Sequence, residues 1–319
     1  MTGYAGRLFL LAFDHRASFT RDLFGLSDAP TPAEAQLISA AKEIIYEGFS
    51  RALADGAPRD AAGILVDEAF GGEVARRARA AGVMLAMPVE ASGKRVFEFE
   101  YGDDFGEHIE RFDPTFAKVL VRYNPDDGQE NAVQLERLKR LSDWLHARRR
   151  LFLFELLVPP TAAQRAMAAG DIDRYDRELR PPLMVRAMAE LQTAGVEPDI
   201  WKIEGLDTRA DAERVVAQAR ADGRGRAACI VLGRGASEER VAHWLRTAAP
   251  VPGFVGFAVG RTIWQEPLKA FRDGAIDREA ATERLAAGYL RAIAVYSDAA
   301  ASENGRTGGD DANGSGGLR

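Results

Sequence analysis

Eight short apolar runs recur along the chain, most of them followed by a polar loop and a stretch with helical periodicity. They are RLFLLAF (7–13), AGILVDE (62–68), VMLAMPV (83–89), FAKVLVRY (116–123), LFLFELLV (151–158), DIWKIEG (199–205), ACIVLG (228–233) and FVGFAVG (254–260). Near-continuous hydrophobic runs of this length suit parallel strands covered by helices, because a strand buried on both faces has no polar alternation to show. The gaps read as helices. TPAEAQLISAAKEIIYEGFSRALADG opens with Thr31 as N-cap and Pro32 in the first turn. ENAVQLERLKRLSDWLHARR, PLMVRAMAELQTAG, TRADAERVVAQARADG and SEERVAHWLRTAA carry the same period. Eight strands alternating with helices predict an α/β fold, a single-domain (β/α)8 TIM barrel over residues 1–298. A doubly wound open sheet is the alternative.

Two connections, residues 90–114 and 159–182, are longer than such a barrel needs. Both follow strands, which places them on the face where barrels do chemistry, and each is a candidate lid. Within the first, RVFEFEYGDDF alternates like a strand or hairpin. The Gly- and Asp-rich tail, 299–319, has little to bury and is expected to be disordered.

Charge narrows the partners. A formal net charge of −6 with interspersed signs argues against nucleic acid and against a membrane surface. No apolar run approaches the roughly 18 residues of a membrane span, and the start of the sequence has no basic leader with a cleavage site. A cytoplasmic protein is expected. The single cysteine, Cys229, lies in an apolar run and reads as a packing residue. Of the four histidines, His146 and His243 fall in helical patterns and His108 in the first long loop. None forms a cluster with metal-ligand spacing, so neither metal nor cofactor is expected. His15 with Asp67 or Glu68 is the alternative starting point for a metal site.

Side chains alternate along a strand, so every second residue faces the barrel interior. In DIWKIEG, Trp201 and Ile203 face the helices, leaving Lys202 inside with Glu204 beyond it at the carboxyl end. In LFLFELLV, Glu155 points inward between outward Phe154 and Leu156. In FAKVLVRY, the inward set is Lys118, Leu120 and Arg122, and in LFLLAFDHR, Asp14 shares a face with Leu10 and Ala12. A charge-balanced interior without chemistry would explain one buried pair. Four strands aiming ionisable groups at one mouth point instead to a catalytic centre.

The residue types suit covalent amine chemistry. A desolvated lysine beside a second cation loses proton affinity and becomes a nucleophile able to form a Schiff base with a carbonyl. Lys202 is that lysine and Lys118 the neighbouring cation. Glu155 can shuttle protons, and Asp14 can act as acid or base in the carbon–carbon step. After strands seven and eight, LGRGAS and VGRT place Gly233, Gly235 and Gly260 with Arg234 or Arg261 where barrels bind phosphate. Ser237 reads equally well as a helix N-cap. His15 and Arg16 are expected substrate contacts at the mouth, with Arg122 and Glu204. Asp67, Glu68 and Glu90 end strands two and three, and periodicity does not choose among them.

The lysines on strands four and six, the glutamate on strand five and the aspartate ending strand one resemble the class I (Schiff-base) ketose-bisphosphate and tagatose-bisphosphate aldolases. The resemblance implies that Lys202 forms the Schiff base, with Lys118, Glu155 and Asp14 in matching positions and Arg261 as the phosphate arginine. Over almost the whole chain, LLAFDHRASF, AAGILVDE, LAMPVE, KVLVRYNP, FLFELLVPP, DIWKIEGLD, CIVLGRGA and GFAVGRTIW resemble a more specific family. This is the aldolase-like domain that follows the kinase in inositol-catabolic 5-dehydro-2-deoxygluconokinases. It implies cleavage of 2-deoxy-5-keto-D-gluconate 6-phosphate to dihydroxyacetone phosphate and malonate semialdehyde. The sequence contains no kinase segment, and a related deoxy- or sulfo-sugar phosphate fits the same residues. The rivals are a phosphate-binding barrel isomerase or decarboxylase without a covalent step, and a non-catalytic sugar-phosphate sensor. Barrels of this kind often associate, so a homo-oligomer is one expectation, with no interface legible in the sequence.

Overall fold

Each of the eight apolar runs forms a strand in the computed structural model, which describes residues 3–307. They are β1 (Leu8–Ala12), β2 (Ala62–Leu65), β3 (Met84–Pro88), β4 (Phe116–Arg122), β5 (Leu151–Leu157), β6 (Ile200–Glu204), β7 (Ala228–Leu232) and β8 (Phe254–Val259). All pair in parallel and in chain order, and β8 returns to β1. That closure excludes the open sheet and establishes the (β/α)8 barrel. The connections carry α1 (Ala17–Phe24), α2 (Pro32–Ala54), α3 (Glu68–Ala80), α4 (Phe105–Phe112), α5 (Gly128–Ala147), α6 (Ala162–Met167) and α7 (Ile172–Arg174). They continue with α8 (Arg180–Thr193), α9 (Arg209–Ala219), α10 (Glu238–Ala248), α11 (Arg261–Arg272) and α12 (Arg278–Thr307). At the start of α2, the Thr31 hydroxyl accepts from the Glu34 N–H while the Glu34 carboxylate accepts from the Thr31 N–H at 2.8 Å. Because Pro32 has no N–H, the first turn has three orphan donors, and two of them are thereby met.

Strand alternation divides the core in two. Leu8, Leu10, Phe116, Leu153, Ile200 and Ile230 fill the barrel interior. Val119, Phe152, Phe154, Trp201 and Ile203 pack outward beneath the helices. In β8, a side chain at Gly256 would overlap the Leu8 carbonyl, so the seam with β1 requires glycine.

Both long connections are packed rather than free flaps. The alternating Phe-rich stretch makes a single antiparallel bridge, Glu90 to Phe99, and no hairpin. Its rings find burial against one another and α5 instead: Phe99 stacks on Phe105 at 4.3 Å, and Phe105 meets Trp144 edge-on. The second connection folds into α6, α7 and a π-helical turn, Tyr175–Leu179, with the Tyr175 hydroxyl donating to Val158 O at 2.7 Å. α12 runs on to Thr307, eight residues past the expected start of the disordered tail; residues 308–319 lie outside the described residues.

Candidate active site

Parallel strands of a barrel end on one face, and there β1, β3, β4, β5 and β6 bring their charges together. The Lys118 ammonium lies 2.7 Å from Asp14 Oδ2, 2.7 Å from Glu90 Oε1 and 3.0 Å from Glu155 Oε2. The same Glu155 oxygen lies 2.9 Å from the Lys202 ammonium. Glu155 and Lys202 are direct register partners across β5 and β6, so the strand ladder itself sets this contact. All five side chains are buried.

Taken out of water, Lys118 and the three carboxyls around it settle one another's protonation. Burial disfavours the charged form of Lys118, but Asp14, Glu155 and Glu90 outweigh burial and hold it well above the usual lysine range. Burial disfavours the charged form of Asp14 too, yet Lys118, with His15 and Lys202 behind it, keeps that carboxyl far below the ordinary value. Glu155 is likewise lowered against burial by Lys118 and Lys202. Glu90 goes the other way: burial, reinforced by Asp14, raises its carboxyl despite Lys118 and Arg16. The His15 imidazole is pushed down to about 4, by burial first, with Arg261 and Lys202 adding.

A cleft of about 320 Å³ opens above this cluster, lined by Asp14, His15, Arg16, Glu90, Lys118, Arg122 and Glu155 with residues 91–97. Lys202 does not line this cleft but contacts Glu155, which does, at 2.9 Å. Arg16 is held by Glu90 O at 2.8 Å and by Glu100 at 2.9 Å. Arg122 donates to Lys94 O at 3.0 Å. Buried polar atoms normally find partners, but His15 Nδ1, Arg16 Nε and Glu90 Oε2, all on residues lining this cleft, have no hydrogen bond among the described residues. They are available to a ligand.

The structure also chooses among the three strand-end carboxylates. Glu90 faces the cleft. Asp67 is wholly buried under α2, where it pairs with Lys42 and caps α3 by accepting from Phe70 N at 2.8 Å. Glu68 turns to His108, at 2.7 Å from Nδ1.

The phosphate candidates divide in the same way. The β7–α10 loop turns through Arg234 (φ 53°) and Gly235 (φ 74°), both left-handed. The Arg261 guanidinium lies where a Gly235 side chain would stand, with its Nη2 donating to Arg234 O at 2.9 Å and its Nε unpartnered and buried. Gly260 N-caps α11, and a side chain there would overlap Ala12 O. Gly233 accepts from Ala236 N, and Ser237 caps α10 by accepting from Arg240 N. A second cavity of about 560 Å³ adjoins Gly235, Ser237 and Arg261. Arg234 instead reaches Asp176 at 2.8 Å and Glu204 at 3.2 Å. Glu204 also accepts from Val158 N at 2.9 Å and pairs with buried Arg180 at 3.1 Å. Arg234 and Glu204, expected to contact substrate, are thus bound to each other in a separate network.

Sequence reading missed Lys42, Glu100, Asp176 and Arg180. Only Lys42 left a readable signal, because it interrupts the apolar stripe Ile38, Ile45, Phe49 of α2. Among the described residues, no group of three or more His, Cys, Asp or Glu side chains is placed to hold a metal ion. No helix among them is long and apolar enough to cross a membrane.

Fold and site together define a (β/α)8 barrel with a lysine–carboxylate centre at its strand ends. The chain belongs to the family described as uncharacterized protein conserved in bacteria (DUF2090), whose model matches residues 3–300. No curated protein matches it in sequence. Among solved structures it is similar to Cgl0159 from Corynebacterium glutamicum, at 21% identity over 90% of this chain and 87% of that one, with a TM-score of 0.54. It is similar to the fructose-bisphosphate aldolase from Slackia heliotrinireducens, at 14% identity over 88% and 86% of the two chains, TM-score 0.54. An archaeal fructose 1,6-bisphosphate aldolase gives 16% identity over 89% and 94%, TM-score 0.53. At these identities the likeness establishes the (β/α)8 barrel fold.

Proposed function

We propose that the protein is a class I aldolase that cleaves a ketose phosphate through a Schiff base on Lys202. The observation that carries this reading is the Glu155 carboxylate bridging two buried lysines, 2.9 Å from Lys202 and 3.0 Å from Lys118. Such a carboxylate can take a proton from one ammonium while the second cation stays in place. In this reading Glu155 draws a proton from Lys202, and the free amine attacks the substrate carbonyl to give a carbinolamine. Protonation of its hydroxyl by Glu155 expels water and leaves an iminium. Asp14, kept ionised by Lys118, takes the proton from the substrate hydroxyl as the carbon–carbon bond breaks. The bonding pair moves to the iminium nitrogen, an aldehyde departs, and the enamine is reprotonated and hydrolysed to return the lysine.

Arg261 with Gly235 and Gly260 supplies the phosphate site in this reading, and Arg16, His15 and Arg122 contact the rest of the sugar. The fold of the similar aldolases supports a barrel of this kind, and the strand-end residues support the chemistry. The sequence resemblance supports 2-deoxy-5-keto-D-gluconate 6-phosphate as substrate, with dihydroxyacetone phosphate and malonate semialdehyde as products in the cytoplasm.

Trapping tests it. The protein is incubated with dihydroxyacetone phosphate, reduced with borohydride and digested, and the peptide carrying Lys202 is weighed. An adduct there, absent in Lys202→Met, is expected. No adduct with this or other phosphorylated ketoses would leave Lys202 as the charge partner of Glu155 in a non-covalent enzyme or a sensor.

A further inference from the structure

Lys42 is completely shielded from solvent on the inner face of α2. Its ammonium has three donors, and three acceptors meet it: Phe13 O at 2.7 Å, His15 O at 3.0 Å and the Asp67 carboxylate. Phe13 and His15 are the residues on either side of Asp14. The last ladder bond at this strand end runs from Phe13 N to Leu65 O at 2.8 Å. Beyond it the chain leaves the sheet and turns into α1, and Lys42 takes hold of both carbonyls of that corner.

A buried ion pair compensates itself, and fixing α2 to α3 needs only Lys42 and Asp67. The two carbonyl contacts are additional, and they restrain the backbone that carries Asp14 and His15. Asp14 is the one catalytic carboxylate that lies beyond its strand, so it lacks the ladder that fixes Glu155 and Lys118. Burial pulls Lys42 towards the neutral amine while Asp67 opposes it, and neutral or charged it still donates to the carbonyls.

We propose that Lys42 is a positioning residue, which holds the Asp14–His15 corner so that the Asp14 carboxylate meets the hydroxyl whose proton leaves during carbon–carbon cleavage. This rests on the aldolase reading above. It also separates the steps: Schiff-base formation uses Lys202 and Glu155 on the far strands, whereas cleavage uses Asp14.

Lys42→Met alone strands a buried carboxylate and is expected to unfold the chain. The decisive variant is therefore Lys42→Met with Asp67→Asn, which removes both charges and keeps an oxygen for the α3 cap. The full chain is assayed for the borohydride adduct with dihydroxyacetone phosphate and for steady-state cleavage. The double variant is expected to form the adduct within about threefold of the wild-type rate while cleavage falls about 100-fold, the loss that a misplacement of roughly 1 Å can cause. In Asp67→Asn alone the amide oxygen still accepts from Lys42, and burial, no longer opposed by a carboxylate, favours the neutral amine, which keeps donors for both carbonyls. This variant, once shown to be folded, should cleave within about threefold of wild type. The proposal is overturned if the double variant cleaves at near wild-type rate, if adduct and cleavage fall in parallel, or if Asp67→Asn alone loses as much. A wild-type protein that forms no adduct would bring down the aldolase reading itself, and this role with it, before any variant is compared.

Discussion

His15 offers a prediction whose size can be worked from the structure. Its Nδ1 lies 3.8 Å from Asp14 Oδ1, and its ring meets Trp264 edge-on at 5.7 Å. Burial, reinforced by the charges of Arg261 and Lys202 and opposed by Asp14, pushes the imidazole from 6.5 down to about 4. Between those values the unfolded chain binds a proton that the folded chain refuses. The unfolded state then holds more protons, so stability rises with pH across the window and is lost as pH falls towards 4. Integrated from neutral pH down to 4.5, the loss is about 2.5 kcal/mol, an upper figure because solvent reaches a quarter of the side chain. His15→Asn removes the titration and leaves the neighbouring carboxylates in place. Urea unfolding followed by tryptophan fluorescence, at pH 7.5 and pH 4.5, compares the two proteins. The stability advantage of wild type over His15→Asn should shrink by about 2 kcal/mol on acidification. A gap that stays constant, or widens at pH 4.5, would show that His15 is protonated in the folded protein and that Asp14 prevails over burial.

Two further expectations concern the other charged groups. Glu90 is raised by burial and by Asp14, so its contribution to stability is complete below its unfolded value of 4.5 and lost as pH rises through the folded one. Glu90→Gln should therefore gain on wild type as pH is raised from 5 to 8, read as a growing difference in Tm, and a difference independent of pH would refute the assignment. Arg180, 2% exposed, serves Glu204 at 3.1 Å, Asp176 at 3.4 Å and Gly205 O at 2.8 Å. Arg180→Met leaves two buried carboxylates sharing Arg234 and should cost about 3–5 kcal/mol in chemical denaturation, whereas a cost below about 1 kcal/mol would mean that water replaces the guanidinium.

Legibility from sequence followed the backbone. All eight strands were readable because burial on both faces leaves an unbroken apolar run. Within them the period of two was enough to aim Lys118, Glu155 and Lys202 into one barrel. Past a strand's last residue that period stops, and the direction of a side chain is set by whatever lies across the barrel mouth. Glu90, Asp67 and Glu68 end neighbouring strands and looked alike for that reason; Lys118, Lys42 and His108, all distant in sequence, decide which of them faces the cleft. Arg234 follows the same logic. Its left-handed backbone and the π-helical turn that delivers Asp176 send it to a carboxylate 58 residues away, a pairing that no local pattern encodes. The long connections misled for a related cause, since alternating phenylalanines can bury themselves by stacking on a helix as well as by pairing in a sheet. Lys42 marks the boundary of what a pattern can yield. A lysine in an apolar helical stripe announces a buried partner, but the two carbonyls it holds belong to a strand end that only the closed barrel brings within reach.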